Sequence, residues 1–404
     1  MSIQRDILVI GAGPSGLALA NALSREGLRV TVLEKLPAAV LADPPADGRD
    51  IALTHRSQAI LASLGIWERL PVQEIAEIRR ARVLHGTSPQ FLQFDPHQAD
   101  AGKSALGYLV GNHLLRRAAY EAVRESTGPA VDIIDDTGVI GLHSTGSASE
   151  VTLADGRSLS ASLTIAADSR FSESRRRMGI PAHMHDFARV VIVARMQHEH
   201  PNDAIAYECF LLGGTLAVLP LNGNQCSVVI TLSADRAAEI ANCPPAQFNR
   251  WVAEQFEHRL GSMQLTGERH SYPLVAVYAR HFCAPRFALL GDAAVGMHPV
   301  TAHGYNFGLY GVESLVSEIG KARRAGDDIG ADAVLQRYER THRRATLPIF
   351  LGTNALVKLY TDDRLPARVV RRGLLRVADR IPPLKGWITR HLTNIPAHAR
   401  LGNR

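Results

Sequence analysis

The chain is expected to be an α/β protein: a Rossmann-like domain, interrupted by an inserted antiparallel sheet and finished by long C-terminal helices. Three observations carry this expectation. The apolar run Asp6–Ile10 leads into Gly11-Ala12-Gly13-Pro14-Ser15-Gly16 and then into the helix-periodic stretch Leu17–Leu23, which reads as strand, tight turn, helix. From about Pro181 to Arg280 the pattern changes to short alternating strand-like runs. After that, a second apolar run, Phe287–Leu290, precedes the long block Gly291–Gly308 and then extended helical periodicity. Together they give a Rossmann-like nucleotide domain expected over 1–75, 105–180 and 281–404, with a substrate domain over 76–104 and 181–280.

In chain order, the N-terminal turn has the glycine spacing a dinucleotide requires. Gly11 permits the turn, Gly13 lets a pyrophosphate reach the backbone, and Gly16 lets helix and strand pack closely, leaving phosphates at the helix N-terminus. A second strand, Arg29–Leu33, ends in Glu34 with Lys35 beside it, at the spacing of about 20 residues expected of a ribose-binding acid. That carboxylate disfavours a 2′-phosphorylated nucleotide in this site, because the charges repel. Leu36–Asp50 reads as a loop, Thr54–Leu64 as a helix, and Ile78–Val83 and Phe91–Phe94 as strands. Gly111–Arg124 is periodic as a helix. Val131–Ile134, Val139–Leu142, Val151–Leu153 and Arg157–Leu159 read as a β-meander with Asp155-Gly156 as a hairpin turn, and Leu163–Ala167 as a buried strand ending in Asp168. The inserted part offers strands at Ala188–Met196, Ala204–Leu212, Leu216–Leu219 and Ser227–Thr231, with one helix at Pro245–Arg259. Helices over Gly304–Arg324 and Ala331–Tyr360 follow.

Composition narrows the class. At 404 residues the chain is long enough for one large and one smaller core. The scattered Cys209, Cys226, Cys243 and Cys283 suggest neither a zinc site nor a disulfide framework, so no metal is expected and a reduced, cytoplasmic setting fits. No secretory segment and no bilayer-spanning apolar stretch is evident. From Lys358 to Arg404 eleven Lys or Arg face three Asp, with apolar residues such as Leu365, Val369 and Trp387 between them. A basic amphipathic segment of this kind suits peripheral contact with an anionic inner membrane or with a biosynthetic assembly. It equally suits packing on its own domain or on a second copy in a homodimer. Nucleic acid is not expected, since no aromatic interleaving or nucleic-acid fold signature accompanies the charge.

Four ordered segments carry a family resemblance: Gly11–Gly16 with Glu34, Gly48–Leu53 with Arg56-Ser57, Asp168-Ser169-Arg170, and Gly291–Gly308. In order and spacing they resemble the signatures of group A flavoprotein aromatic hydroxylases, which have the para-hydroxybenzoate hydroxylase-like fold, and more narrowly the ubiquinone-biosynthesis hydroxylases. The resemblance spans roughly Ile3–Arg344. It implies an FAD-dependent monooxygenase that hydroxylates the ring of a polyprenylated quinol or phenol through a C4a-hydroperoxyflavin, with NAD(P)H as a transient reductant and O2 as co-substrate. No second dinucleotide fingerprint is present, which fits transient NAD(P)H binding. By the same resemblance Asp292, next to Gly291, binds ribityl hydroxyls. The N–H groups of Gly304, Tyr305 and Asn306 at a helix start stabilise the reduced flavin, Pro299 faces the isoalloxazine, Arg49 and Asn112 meet the cofactor, and Asp168 belongs to the middle signature.

Two positions depart from the family pattern. Ala302-His303-Gly304 stands where Gly-Gln-Gly is usual, and Asp168-Ser169 where Asp-Gly is usual, so positive φ is restricted at two places. His303 and His298 are therefore candidates for polarising a phenolic or quinol hydroxyl; a histidine bonded to the loop backbone explains either one as well. The alternative activities are hydroxylation of a small soluble phenol, flavin-dependent prenyl reduction, and a non-enzymatic flavin subunit that scaffolds an assembly.

Overall fold

The computed structural model describes residues 5–85, 91–96, 104–211, 213–297 and 303–361. Strand Arg5–Ile10 lies inside a sheet ordered Cys283–Ala284, Phe287–Leu289, Ser158–Ala166, Arg5–Ile10, Val30–Leu33, Asp132–Ile134. Along this order all pairings are parallel except that of the short Cys283–Ala284 edge, and the antiparallel hairpin Val139–Ser144/Ser149–Leu153 joins the same sheet at the first half of Ser158–Ala166. A strand apolar on both faces needs cover on both. Ile7 and Val9 pack with helix Pro14–Arg25 and helix Gly304–Ala325, while Leu8 and Ile10 face the hairpin strands Val139–Ser144 and Ser149–Leu153.

Several local expectations are corrected. Arg157–Leu159 and Leu163–Ala167 are one strand, Ser158–Ala166, since nothing between them breaks it: its first half pairs with Ser149–Leu153, its second half with Arg5–Ile10. The Val131–Ile134 run is not in the meander; Asp132–Ile134 forms the parallel edge beside Val30–Leu33. The Leu36–Asp50 loop holds a short helix, Ala38–Ala42. The expected strand Ile78–Val83 divides at Arg79 between two sheets: Ala76–Ile78 joins a three-stranded sheet with Gly107–Gly111 and Asp50–Leu53, and Arg80–His85 joins the inserted sheet.

The inserted sheet has the order Val295–Gly296, Met263–Ala279, Ala182–His198, Gln225–Ser233, Gly214–Pro220, Ile205–Leu211, Arg80–His85, Phe91–Phe94. One face, with Ile192, Ala194, Met196, Val228 and Ile230, buries Phe248 and Val252 of the helix Pro245–Gln255. The other face carries Val191, Val193 and Leu274. Two helices stand here instead of one, because Pro244 and Pro245 end Ala234–Asn242 and start the next. Met263–Ala279 is a strand that the sequence reading left out; its first half is polar and it contains Pro273, accommodated beside register breaks in its partner. Its far end pairs Val277 with Gly296 and Tyr278 with Val295, so the Gly291–Gly308 block supplies the last strand of this sheet. Helices Gly304–Ala325 and Asp332–Thr361 close the fold. Among the described residues no helix is long and apolar enough to cross a membrane.

Candidate active site

Parallel strands bring their C-terminal ends to one edge of the sheet, and the candidate residues gather there. The Gly11 N–H donates to the Leu33 carbonyl, Ala167 to Ile10 and Leu290 to Ala166, each at 2.8 Å. Gly11 has φ +104°, and a Cβ on it would lie 2.7 Å from the Ala167 carbonyl oxygen. A Cβ on Gly16 would fall on the Gly11 carbonyl oxygen, whereas one on Gly13 would meet no atom within 4 Å. Two of the glycines thus serve packing, and the third keeps open the space in front of the helix N-terminus. Gly13 occupies the N-cap with Pro14 following, and no side chain caps the helix, so early N–H groups are left for an anion. Glu34 is buried; its Oε2 accepts from the Ala12 N–H at 2.6 Å and its Oε1 from Leu36 at 3.0 Å, so the carboxylate braces the turn. Lys35 is exposed at the rim.

The C-terminal block meets this turn directly. A Cβ on Gly308 would strike Ser15 Oγ and lie 3.7 Å from Gly291 Cα, and one on Gly291 would lie 3.4 Å from Ser15 Oγ. Asp292 follows; its Oδ2 accepts from Arg170 Nη2 at 3.0 Å, while its Oδ1 lies 3.9 Å from where a Cβ would stand on Gly304, at the start of the next helix. Arg170 also donates to the Val275 carbonyl at 3.1 Å, tying Asp292 to the inserted sheet. The buried Arg175 donates to the carbonyls of Arg170 (3.1 Å) and Ala293 (2.9 Å), locking the middle signature onto this loop. Burial pushes its guanidinium below the ordinary range, partly offset by the Asp168 charge.

The second signature, Gly48–Leu53, meets the start of the Gly304 helix from the other side. The buried Asn306 side chain donates to the Ala52 carbonyl at 2.8 Å and accepts from the Thr54 N–H at 3.0 Å, so it clamps the helix start to strand Asp50–Leu53. Asp47 accepts from Arg49 at 2.5 Å and from Asn112 at 2.7 Å, and its backbone carbonyl accepts from Tyr272 Oη at 2.7 Å. Burial works to raise the Asp47 carboxyl, but the Arg49 and Asn112 bonds outweigh it and hold the carboxyl below its ordinary value. Arg49 sits 5.4 Å from the Tyr272 ring centroid and feels Asp292. Asp50, almost fully buried, pairs with Arg195 of the inserted sheet at 2.6 Å.

Ser169 has φ +121°, so the serine adopts the conformation usually left to glycine, and the backbone is not ordinary there. Asp168 Oδ2 accepts from the Ser174 N–H at 3.2 Å, and its buried Oδ1 meets no partner among the described residues. The Tyr305 hydroxyl is likewise buried without a described partner, and burial pushes its pKa up. His303 is buried at the N-cap of the Gly304 helix, its ring 5.3 Å from that of Phe307. His298, Pro299 and Ala302 lie outside the described residues, as does most of the basic stretch after residue 361.

Sequence reasoning missed Asp47, Tyr272 and Arg195. Asp47 lies in a segment read as a plain loop, and Tyr272 in the strand left out; the pairing of Arg195 with Asp50 leaves no local trace in the sequence.

These residues suit a bound FAD. The helix N-terminus is open at Gly13, Asp292 stands beside a second helix start, and the buried Asp168 oxygen lacks a described partner. The family model described as an FAD binding domain matches residues 4–346. The chain belongs to this FAD-binding-domain family of flavin monooxygenases. Within it, the chain is 45% identical to the ubiquinone hydroxylase UbiM of Neisseria meningitidis, over 97% of this chain and 85% of that protein. It is 34% identical to the ubiquinone hydroxylase UbiL of Rhodospirillum rubrum, over 96% and 89%. Among solved structures, p-nitrophenol 4-monooxygenase PnpA from Pseudomonas putida superposes with a TM-score of 0.79 over 98% of this chain and 100% of that one, at 18% identity, a likeness of fold.

Proposed function

We propose that the protein hydroxylates the aromatic ring of a polyprenylated ubiquinone precursor, using NAD(P)H as transient reductant and O2 as co-substrate. The observation that carries this reading is the meeting of Ser15, Gly291 and Gly308: two segments far apart in sequence come together at one helix N-terminus, while Gly48 of the second signature lies against Val193 on the apolar sheet face that also bears Val191 and Leu274. The names of the relatives, ubiquinone hydroxylases, supply the substrate class.

Bound FAD supplies the activation of oxygen, which organic substrates otherwise resist. The chain's own residues do the rest. Residues 11–16 and Glu34, with Lys35 at the rim, hold the dinucleotide end. Asp292 and the N–H groups of Gly304, Tyr305 and Asn306 hold the flavin end, where a helix start favours negative charge. Arg49 and Asn112, oriented by Asp47, line the cofactor edge, and Pro299 stiffens the loop. His303, with His298, polarises the ring hydroxyl. Residues 1–75, 105–180 and 281–404 serve the cofactor, and 76–104 and 181–280 the substrate. The basic C-terminal segment holds the enzyme near the membrane or assembly that carries its prenylated substrate.

The test is to express the gene in a strain lacking its own ring hydroxylases and to identify the quinones that form by mass. A quinone hydroxylated at a position the host leaves untouched is expected; unchanged intermediates despite yellow, soluble protein overturn the reading. In the purified enzyme, His303→Ala is expected to slow hydroxylation more than flavin reduction, and equal losses in both half-reactions remove His303 from the mechanism.

A further inference from the structure

Glu208 is a carboxylic acid in a strand that is otherwise apolar or aromatic, Ile205–Leu211. Strand register fixes which way it points. Cross-strand partners share a face, so Glu208 lines up with Val83 on one side and with Ala217, Val229, Val193 and His270 on the other. Tyr207 and Cys209, its neighbours in sequence, point to the opposite face, against Phe248 and Val252.

The rows on either side of Glu208 are both pinned to the cofactor site. In one, Ala206 and Leu219 pack with Ala52 and Leu109, and Arg195 bonds Asp50. In the other, Val191 lies beside Tyr272, whose hydroxyl bonds the Asp47 carbonyl. Within the Glu208 row itself, a Cβ on Gly48 would lie 3.1 Å from Val193 Cγ2. Glu208 therefore sits on the wall of the cleft that faces the flavin loops, three strands along from Val193.

Among the described residues its nearest row neighbours, Val83, Ala217 and Val229, are apolar. Its Oε1 is buried and meets no partner among the described residues, while the Thr215 hydroxyl bonds the carboxyl group. Such a group in an apolar wall is costly until something polar reaches it. Burial drives its pKa to about 8, so at neutral pH it is an acid that both donates and accepts hydrogen bonds.

We propose that Glu208 is the substrate-positioning residue of this cleft, hydrogen-bonding a ring hydroxyl of an uncharged phenol or quinol. This rests on the proposed hydroxylase reading and names the part of the substrate that the sheet recognises.

The test uses the full-length, FAD-loaded protein and a monoprenylated methoxyhydroquinone as probe, with binding followed by the perturbation of flavin absorbance. Glu208→Ala is expected to raise Kd by about 10- to 100-fold with FAD occupancy unchanged, since a hydrogen bond at a buried acid is lost. Glu208→Gln, which keeps a donor and an acceptor, is expected to stay within about threefold of the wild type. An analogue with the ring hydroxyls methylated is expected to bind the wild type and Glu208→Ala equally weakly. If Glu208→Ala binds the hydroquinone as tightly as the wild type does, this assignment falls and the hydroxylase reading stands. If the yellow wild-type protein binds no prenylated hydroquinone, both fall together.

Discussion

At neutral pH, replacing Glu208 by Gln is expected to strengthen the fold. In the folded protein burial raises this carboxyl from 4.5 to about 8. An acid whose folded pKa is raised holds its proton more tightly when folded, so stability is greatest below the unfolded value and falls as pH rises from 4.5 toward 8. With each unit equivalent to about 1.4 kcal/mol, roughly 3 kcal/mol has been lost by pH 7. Glutamine has the same shape and no proton to lose, so it escapes that penalty. Urea midpoints of the wild type and Glu208→Gln, measured at half-unit steps from pH 5 to 8.5, are expected to diverge steadily, with the variant ahead by about 3 kcal/mol at neutral pH. Groups common to both proteins, such as His113 with its pKa lowered by burial and Arg195, cancel in the difference. Parallel curves across the whole range would refute the claim that this carboxyl is buried and protonated.

Ser169→Gly is expected to stabilise the protein by about 1 kcal/mol, because φ +121° strains a side chain by more than the added freedom of glycine costs the unfolded chain; a lower midpoint in urea contradicts this. Gly13→Ala is expected to leave the fold intact while FAD retention collapses, since its Cβ enters only the open space before the helix, whereas Gly16→Ala, which drives a Cβ onto the Gly11 carbonyl, is expected to lower the melting temperature as well. Equal thermal losses in the two variants, read by circular dichroism beside flavin content, would show that Gly13 is a packing glycine. Asn306→Ala leaves the Thr54 N–H and the Ala52 carbonyl unpaired and is expected to cost about 2–4 kcal/mol in denaturant unfolding; a loss below about 0.5 kcal/mol would mean that the clamp is dispensable.

Much of this architecture was legible in the residues. The Gly11–Gly16 turn and the Phe287–Leu290 run have strong local patterns, and the strands before them end at Ile10, as read, and at Leu289, one residue short of the run. That Asp292 and Ser15 would share a site followed from family resemblance rather than from any local feature. What stayed hidden was set by pairing at a distance. Met263–Ala279 is polar through its first half, so its strand character comes from Ala182–His198 alongside it rather than from alternation of its own. The pattern of Ser158–Ala166 suggests two strands because its two halves serve different neighbours, one antiparallel and one parallel. Asp50 was visible as part of a signature, yet its role as the anchor for Arg195 depends on a strand that lies 145 residues further on. Glu208 does leave a trace, since a lone acid inside an apolar strand is itself a signal.

The two cross-strand pairs that join Gly296 to Val277 and Val295 to Tyr278 begin three residues after Asp292. The loop proposed to hold the coenzyme thus runs straight into the edge strand of the inserted sheet, the proposed substrate side. Only the buried Ala293 and Ala294 separate Asp292 from that edge, so a shift of the sheet edge is carried to the carboxylate along the main chain.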